Sequence, residues 1–217
     1  SKKKEDFAEI HFIQEQDSLV HQYKKLKQIV LLRHGEPAMN KKGWKTRKEA
    51  QAYIQEYDEV GIIPPKDKPF VLSENEVPAI HTSSLNRSIS TANHLFSQHP
   101  HHEANPIFRE FERKIFVFPN IKLPIKWWLT GSRLLWFTGL NKKGIESFRE
   151  ARARAKEAVA MLEADAFEHG KTVLVAHGLL NHYLARYFRK NGWKHVYNGG
   201  KDYLAQQVFI QYREFSK

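Results

Sequence analysis

The chain has no cysteine. Disulfides and thiolate-held metals are thereby excluded, and a reducing compartment fits. Nor does it contain a run of about 20 apolar residues, the length a bilayer-spanning helix needs. Acidic side chains are in deficit, 24 against 35 lysines and arginines, for a formal charge of +11. That surplus suits nucleic acid, an anionic membrane surface or a phosphorylated substrate. The bases are dispersed, with only Lys2-Lys3-Lys4 and Lys24-Lys25 as short runs, and no aromatic-interleaved stacking motif accompanies them. No nucleic-acid partner is therefore expected. The opening SKKKEDF leads into no apolar secretion core, so a cytoplasmic protein is expected.

At 217 residues, 41% of them hydrophobic and 27% charged, the chain can bury one sizeable core. Residues 1–27 are polar with alternating charge and read as an N-terminal extension packed on a single domain over 28–217. The stretch Ile29-Val30-Leu31-Leu32 reads as a buried strand, and it ends in Arg33-His34-Gly35-Glu36. In open α/β sheets, ligands bind beyond the carboxyl ends of strands. An arginine offers a planar charged fork to phosphate oxygens, and an imidazole can attack phosphorus. The same design returns at Thr172-Val173-Leu174-Val175-Ala176-His177-Gly178.

Between these modules, Lys48 to Tyr57 has helical spacing, and Val77 to Thr82 reads as a strand followed by a helix that Ser83 or Ser84 can cap. Arg87 falls in that helix's first turn, where the dipole disfavours a cation unless an anion binds nearby. His99-Pro100-His101-His102 reads as a solvated loop, not a metal site. The aromatic segment 116–139, with Trp127, Trp128 and Trp136, reads as a helical cap over the active edge of the sheet. Its alternative is a segment lying on a membrane surface. Lys143 to His169 and the stretch after His177 are helical, and Ala205 to Tyr212 is a last strand at the sheet edge. Alternation of strands and helices gives an α/β fold, a three-layer α/β/α sandwich with a mostly parallel central sheet.

Arg33-His34-Gly35-Glu36 resembles the RHG signature of the histidine phosphatase superfamily, the phosphoglycerate-mutase-like proteins. Ser83 to Ala92 resembles the family's second block and Val175-Ala176-His177-Gly178 its third, in the same order. The resemblance implies a phosphoglycerate-mutase-like fold and a metal-independent, cofactor-free phosphatase acting on small phosphate monoesters. It further implies His34 as the phosphohistidine nucleophile, with Arg33, Arg87 and His177 around the phosphoryl group. Glu110 matches the family's acid, with Glu112 as its rival, and Asn40 stands where sugar-phosphate mutases carry a phosphate-contacting asparagine; read from its own surroundings it is a turn residue. Pro37 and Met39 replace residues usual in mutases, which favours hydrolysis over phosphoryl shuttling. A mutase-like phosphotransferase, or a non-catalytic phosphate-binding or membrane-peripheral module, are the alternatives.

Overall fold

Ile29 to Leu32 and Val173 to Ala176 are wholly inaccessible to solvent, and they form the two strands at the centre of a six-stranded sheet. The structure is a computed structural model that describes residues 26–40, 42–66, 79–97, 102–119 and 121–211. Strand β1 (Lys27–Arg33) is followed by β2 (Trp44–Lys45), α1 (Arg47–Glu59), β3 (Ala79–Ser83) and α2 (Asn86–Leu95). Then come β4 (His102–Asn105), a 3₁₀ turn (Pro106–Phe108), β5 (Leu123–Pro124) and α3 (Ile125–Phe137). The chain closes with α4 (Phe148–His169), β6 (Lys171–Ala176), α5 (Gly178–Lys190), β7 (Lys194–Asn198) and β8 (Gln206–Gln211).

Strand order in the main sheet is β4-β3-β6-β1-β8-β7, with β4, β3, β6 and β1 parallel, β8 antiparallel to β1, and β7 antiparallel to β8. Side chains alternate across a strand, so Ile29 and Leu31 pack one way and Val30 and Leu32 the other. On the first face, α4 contributes the small-residue stripe Ala151, Ala155 and Ala158 with Val159 and Leu162, and α5 contributes Leu180, Leu184 and Phe188. On the second face, α2 contributes Ala92 and Leu95. The expected α/β/α sandwich with a mostly parallel sheet is the fold.

Several boundaries differ from the sequence reading. Helix α4 begins at Phe148 rather than Lys143, because Ser147 and Glu150 form a capping box there; it ends at Gly170, whose φ of +84° suits glycine. Neither Ser83 nor Ser84 caps α2, whose N-cap is Leu85 without a side-chain bond. Strand β8 is not the edge: it lies between β1 and β7, and β7 occupies that edge. His102 opens β4 instead of lying in a loop. His99 to His101, and residues 1–25 of the expected extension, lie outside the described residues.

The aromatic segment forms α3 and a small second core. Trp128 is fully buried against Ala50, Tyr53 and Ile54 of α1, together with Ile115 and Ile125, and its indole N–H donates to the Lys45 carbonyl at 2.7 Å. A two-stranded ribbon of β2 and β5 lies at the start of α3. Neighbouring Trp127 is 69% exposed. Trp128→Ala is expected to lower unfolding free energy by about 3–5 kcal/mol, and Trp127→Ala by no more than about 0.5 kcal/mol. Urea titrations of both variants check this.

Candidate active site

The carboxyl ends of three adjacent parallel strands carry the chemistry. In the order β3-β6-β1 these ends present Ser83, His177 and the pair Arg33-His34. Register places Arg33 opposite Ala176, and the His34 amide donates to the Ala176 carbonyl at 2.9 Å. Neighbouring strands therefore bring the two imidazoles together, with ring centroids 5.1 Å apart.

His34 is 2% exposed. Its Nδ1 lies 2.7 Å from the carbonyl of Gly35. A carbonyl only accepts, so the proton sits on Nδ1 and the lone pair on Nε2. The Gly35 amide in turn donates to Thr91 Oγ1 at 2.9 Å, and that hydroxyl donates to the Arg87 carbonyl at 2.6 Å. This chain ties the turn after β1 to the start of α2. A Cβ on Gly35 would lie 3.1 Å from Ile62 Cδ1, so a side chain there would have to push Ile62 aside by a few tenths of an ångström.

His177 is fully buried, and burial above all, followed by Arg87 and His34, drives its pKa well below the ordinary 6.5. Its Nε2 lies 2.7 Å from Ser83 Oγ and 3.4 Å from Ser88 Oγ. Ser83 Oγ already accepts from the Leu85 amide at 3.3 Å, which leaves its own proton for Nε2. The ring proton then sits on Nδ1, an atom buried without a hydrogen-bond partner. Such a neutral donor is what a phosphoryl oxygen accepts from. The unfolded chain, with an ordinary histidine, binds the proton that the folded chain refuses. Stability is thus complete above pH 6.5 and falls as pH drops below it, with a slope from this one group of up to about 1.4 kcal/mol per unit. Unfolding curves between pH 7 and 5 should show that component in the native chain and lack it in His177→Asn.

Arg87, at 1% exposure, is not a surface residue. Its Nη1 donates to the Tyr57 carbonyl at 2.7 Å and to Asp58 Oδ1 at 3.2 Å, and its guanidinium stacks on the Tyr57 ring at 4.3 Å. Nε is buried without a partner. Arg33 donates to the Lys201 carbonyl and lies 4.4 Å over the Tyr203 ring; Tyr203 also meets the His34 ring at 5.7 Å. Backbone strain accompanies this support, since Leu204 holds φ of +62° while its amide donates to the Arg33 carbonyl.

Glu110 reaches the same edge from another direction. Its carboxyl oxygens accept from the amides of Leu179 at 3.2 Å and Leu180 at 3.0 Å, the first turn of α5, and from Phe111 at 3.0 Å. His177 is the N-cap of α5 but makes no side-chain cap, and Glu110 does that work from outside the helix. Glu112 also borders the cavity described below, but its Oε2 accepts from the Glu146 amide. Arg33, His34, Arg87 and Glu110 line one cavity of about 910 Å³, whose outer wall includes Ile125, Leu129 and Arg133 of α3. The tryptophans of the segment expected to form a cap are not among the residues lining this cavity.

Asn40 does not join them. Its Oδ1 accepts from the Lys42 amide at 3.0 Å, a turn contact, and it lines a separate hollow with Lys45 and Glu49. The turn reading describes its place. Sequence reading missed Ser83 as the partner of His177, Asp58 as the ion-pair partner of Arg87, and Tyr57 and Tyr203 as stacking platforms. Among the described residues, the one group of three histidine or acidic side chains with ligand atoms within 4.8 Å is Asp165, Glu168 and His169. These end α4 just before β6 begins, at the sheet edge away from the cavity.

No curated protein matches the chain significantly in sequence. Among solved structures, a mycobacterial glucosyl-3-phosphoglycerate phosphatase is 22% identical, with TM-score 0.50 over 85% of this chain and 90% of that one. A phosphoglycerate mutase from Bacillus anthracis str. Sterne is 16% identical, with TM-score 0.55 over 88% and 90%. A protein described as mycobacterial hydrolase 2 is 22% identical, with TM-score 0.52 over 88% and 84%. At such identities these likenesses show the fold. The family itself is given by the match over residues 29–208: the chain belongs to the histidine phosphatase superfamily, branch 1.

Proposed function

We propose that this protein is a metal-independent phosphatase that hydrolyses small phosphate monoesters through a phosphohistidine on His34. The observation that carries the reading is the pairing of His34 and His177 at 5.1 Å beside two guanidinium groups on one cavity wall. His34 Nε2 attacks phosphorus, the bond to the ester oxygen breaks, and Glu110 gives that oxygen a proton. Charge developing on the ring is eased through Nδ1–H on the Gly35 carbonyl. Water then attacks phosphorus, Glu110 takes its proton, and the P–N bond breaks to release phosphate. Arg33, Arg87 and His177 Nδ1 hold the equatorial oxygens throughout, which is most of what phosphoryl transfer needs. We place this chemistry in the cytoplasm, in a single domain over 28–217, and give Asn40 no direct part in it.

Arg87→Ala should raise KM and lower kcat, with a combined loss in kcat/KM of about 10- to 100-fold, the effect of one charged hydrogen-bond donor to phosphate. Steady-state kinetics with p-nitrophenyl phosphate measures it.

A phosphoglycerate-mutase-like phosphotransferase is the second reading, favoured by the structural likeness to the Bacillus anthracis mutase. Incubation with 3-phosphoglycerate and a bisphosphate primer separates the two. Inorganic phosphate as the main product supports hydrolysis. Isomerised phosphoglycerate as the main product overturns it.

A further inference from the structure

The positive charge of this chain is not evenly placed. Residues 37–48 and 113–145 hold 12 of its 35 lysines and arginines and none of its 24 acidic residues. The other 23 basic residues fall one short of the acids, so the whole surplus of +11 belongs to these two stretches. Basic residues occur all along the sequence. What marks the two stretches is the absence of acids between Glu36 and Glu49, and again between Glu112 and Glu146.

The fold joins them. Trp44 of β2 pairs with Pro124 of β5, and the Ile125 amide at the start of α3 donates to the Gly43 carbonyl at 3.0 Å. Alongside α3, the Phe116 amide donates to Ser132 Oγ at 3.2 Å. Beyond the helix, Asn141 Nδ2 donates to the Lys114 carbonyl at 2.7 Å. Arg113 and Arg133 line the cavity, but Lys42, Arg47, Lys48, Lys122, Lys126 and Lys142 are exposed. Glu49, at the margin, is engaged with Thr46 in the capping box of α1.

The same region carries most of the apolar exposure. Among the described residues eleven large hydrophobic side chains are exposed, and seven of these are Trp44 and six within 117–140. Trp127 and Leu134, seven positions and two turns apart, share the outer face of α3 at 69% and 61% exposure. Trp44 is 66% exposed on the ribbon at the start of that helix. Phe118 packs on Phe116, whose ring meets the buried Trp128. Core packing thus accounts for Trp128 and Trp136 on the inner face, but not for Trp44 and Trp127. Clustered apolar exposure with a charged rim marks an interaction surface. A symmetric contact with a second copy would set this positive surface against itself. Nucleic-acid bases would stack on the tryptophans but have no use for Val117, Ile121, Leu134 and Leu140. An anionic lipid layer uses both the rings and the aliphatic groups.

We propose that the outer face of α3, together with the β2–β5 ribbon, docks on an anionic lipid bilayer surface. Trp44, Trp127 and Leu134 enter the headgroup boundary, and the surrounding lysines meet the lipid phosphates and carboxylates. Indole rings settle at that depth, and lysine stems reach from it to the charged layer. Among the described residues no helix is long and apolar enough to cross a membrane, so the contact is peripheral. The inner side of α3 lines the cavity through Ile125 and Leu129, which sets the cavity one helix away from the lipid. The inference does not depend on the phosphatase reading.

Flotation at physiological salt tests it, with vesicles of phosphatidylcholine and phosphatidylserine at about 7:3 against phosphatidylcholine alone. The native chain is expected to bind the mixed vesicles and not the neutral ones. A chain of this net charge adheres loosely to any anionic surface, so the variants decide. Trp44→Ala/Trp127→Ala should weaken binding about tenfold or more. Lys42→Ala and Lys122→Ala should each weaken it about fivefold, the scale of one lysine at such a surface. Circular dichroism verifies that the variants are folded. No binding by the native chain overturns the proposal. Binding unchanged in the folded double tryptophan variant also overturns it, since adhesion by net charge alone then suffices. If that variant does not fold, brominated lipid in the same vesicles decides: quenching of the native tryptophan emission supports the docking, and its absence overturns it. A dimer or an oligouridylate complex that is lost with the same tryptophans, while vesicles go unbound, gives the face to another occupant and overturns it too.

Discussion

His34→Ala is expected to abolish phosphate release, a loss of about 10⁴-fold or more, because the variant lacks the imidazole proposed to form the covalent intermediate. The fold should survive. His34 lies just beyond β1, its amide bond to the Ala176 carbonyl is kept in alanine, and its ring Nδ1 bonds only as far as the adjacent Gly35 carbonyl. Binding of inorganic phosphate should persist in the variant, since Arg33, Arg87 and His177 remain. A phosphorus NMR signal for phosphohistidine, seen with the native chain under turnover in alkaline quench, should vanish. Residual hydrolysis within tenfold of native would reject His34 as nucleophile.

Glu110→Gln carries the second large effect, and its size should depend on the substrate. A proton donor contributes about 10²–10⁴-fold when the departing oxygen is a poor leaving group. An alkyl phosphate should therefore lose that much in kcat. p-Nitrophenyl phosphate, which departs as a stable phenolate, should lose far less in the step that forms the phosphoenzyme. The glutamine keeps one oxygen, which can still accept from Leu180 and Phe111, but it loses the acceptor that serves Leu179, so a loss of about 0.5–2 kcal/mol in stability is expected. Equal losses on both substrates would make Glu110 a helix cap and nothing more. Glu112→Gln is the control, since its carboxylate is engaged with the Glu146 amide.

Much of this site could be read from the chain before its structure. Apolar runs ending in His34 and His177 could hardly be anything except central strands, and central parallel strands place their ends together. Arg87 was legible as a candidate for the site because a cation in the first turn of a helix is unfavourable without a counter-charge, and it does line the cavity. Residues that act through tertiary placement were not legible. Asp58 lies in the last turn of α1, 29 positions from Arg87, and no periodicity links the two. Ser83 looked like a helix cap and instead serves a histidine 94 positions away. Strand β7 escaped because four of its five residues are exposed, so its pattern has no apolar face to find. Asn40 sits at the family's spacing but in a turn that points into another hollow.

The two halves of the cavity are built on foundations of unequal strength. One half hangs from β1 and β6, flanked on both sides by other strands and covered on both faces. The other half is α3 with its small separate core against α1, and such peripheral units open at lower free energy than the middle of a sheet. Gentle warming should therefore erode discrimination among phosphate esters while the rate on the simplest of them still climbs.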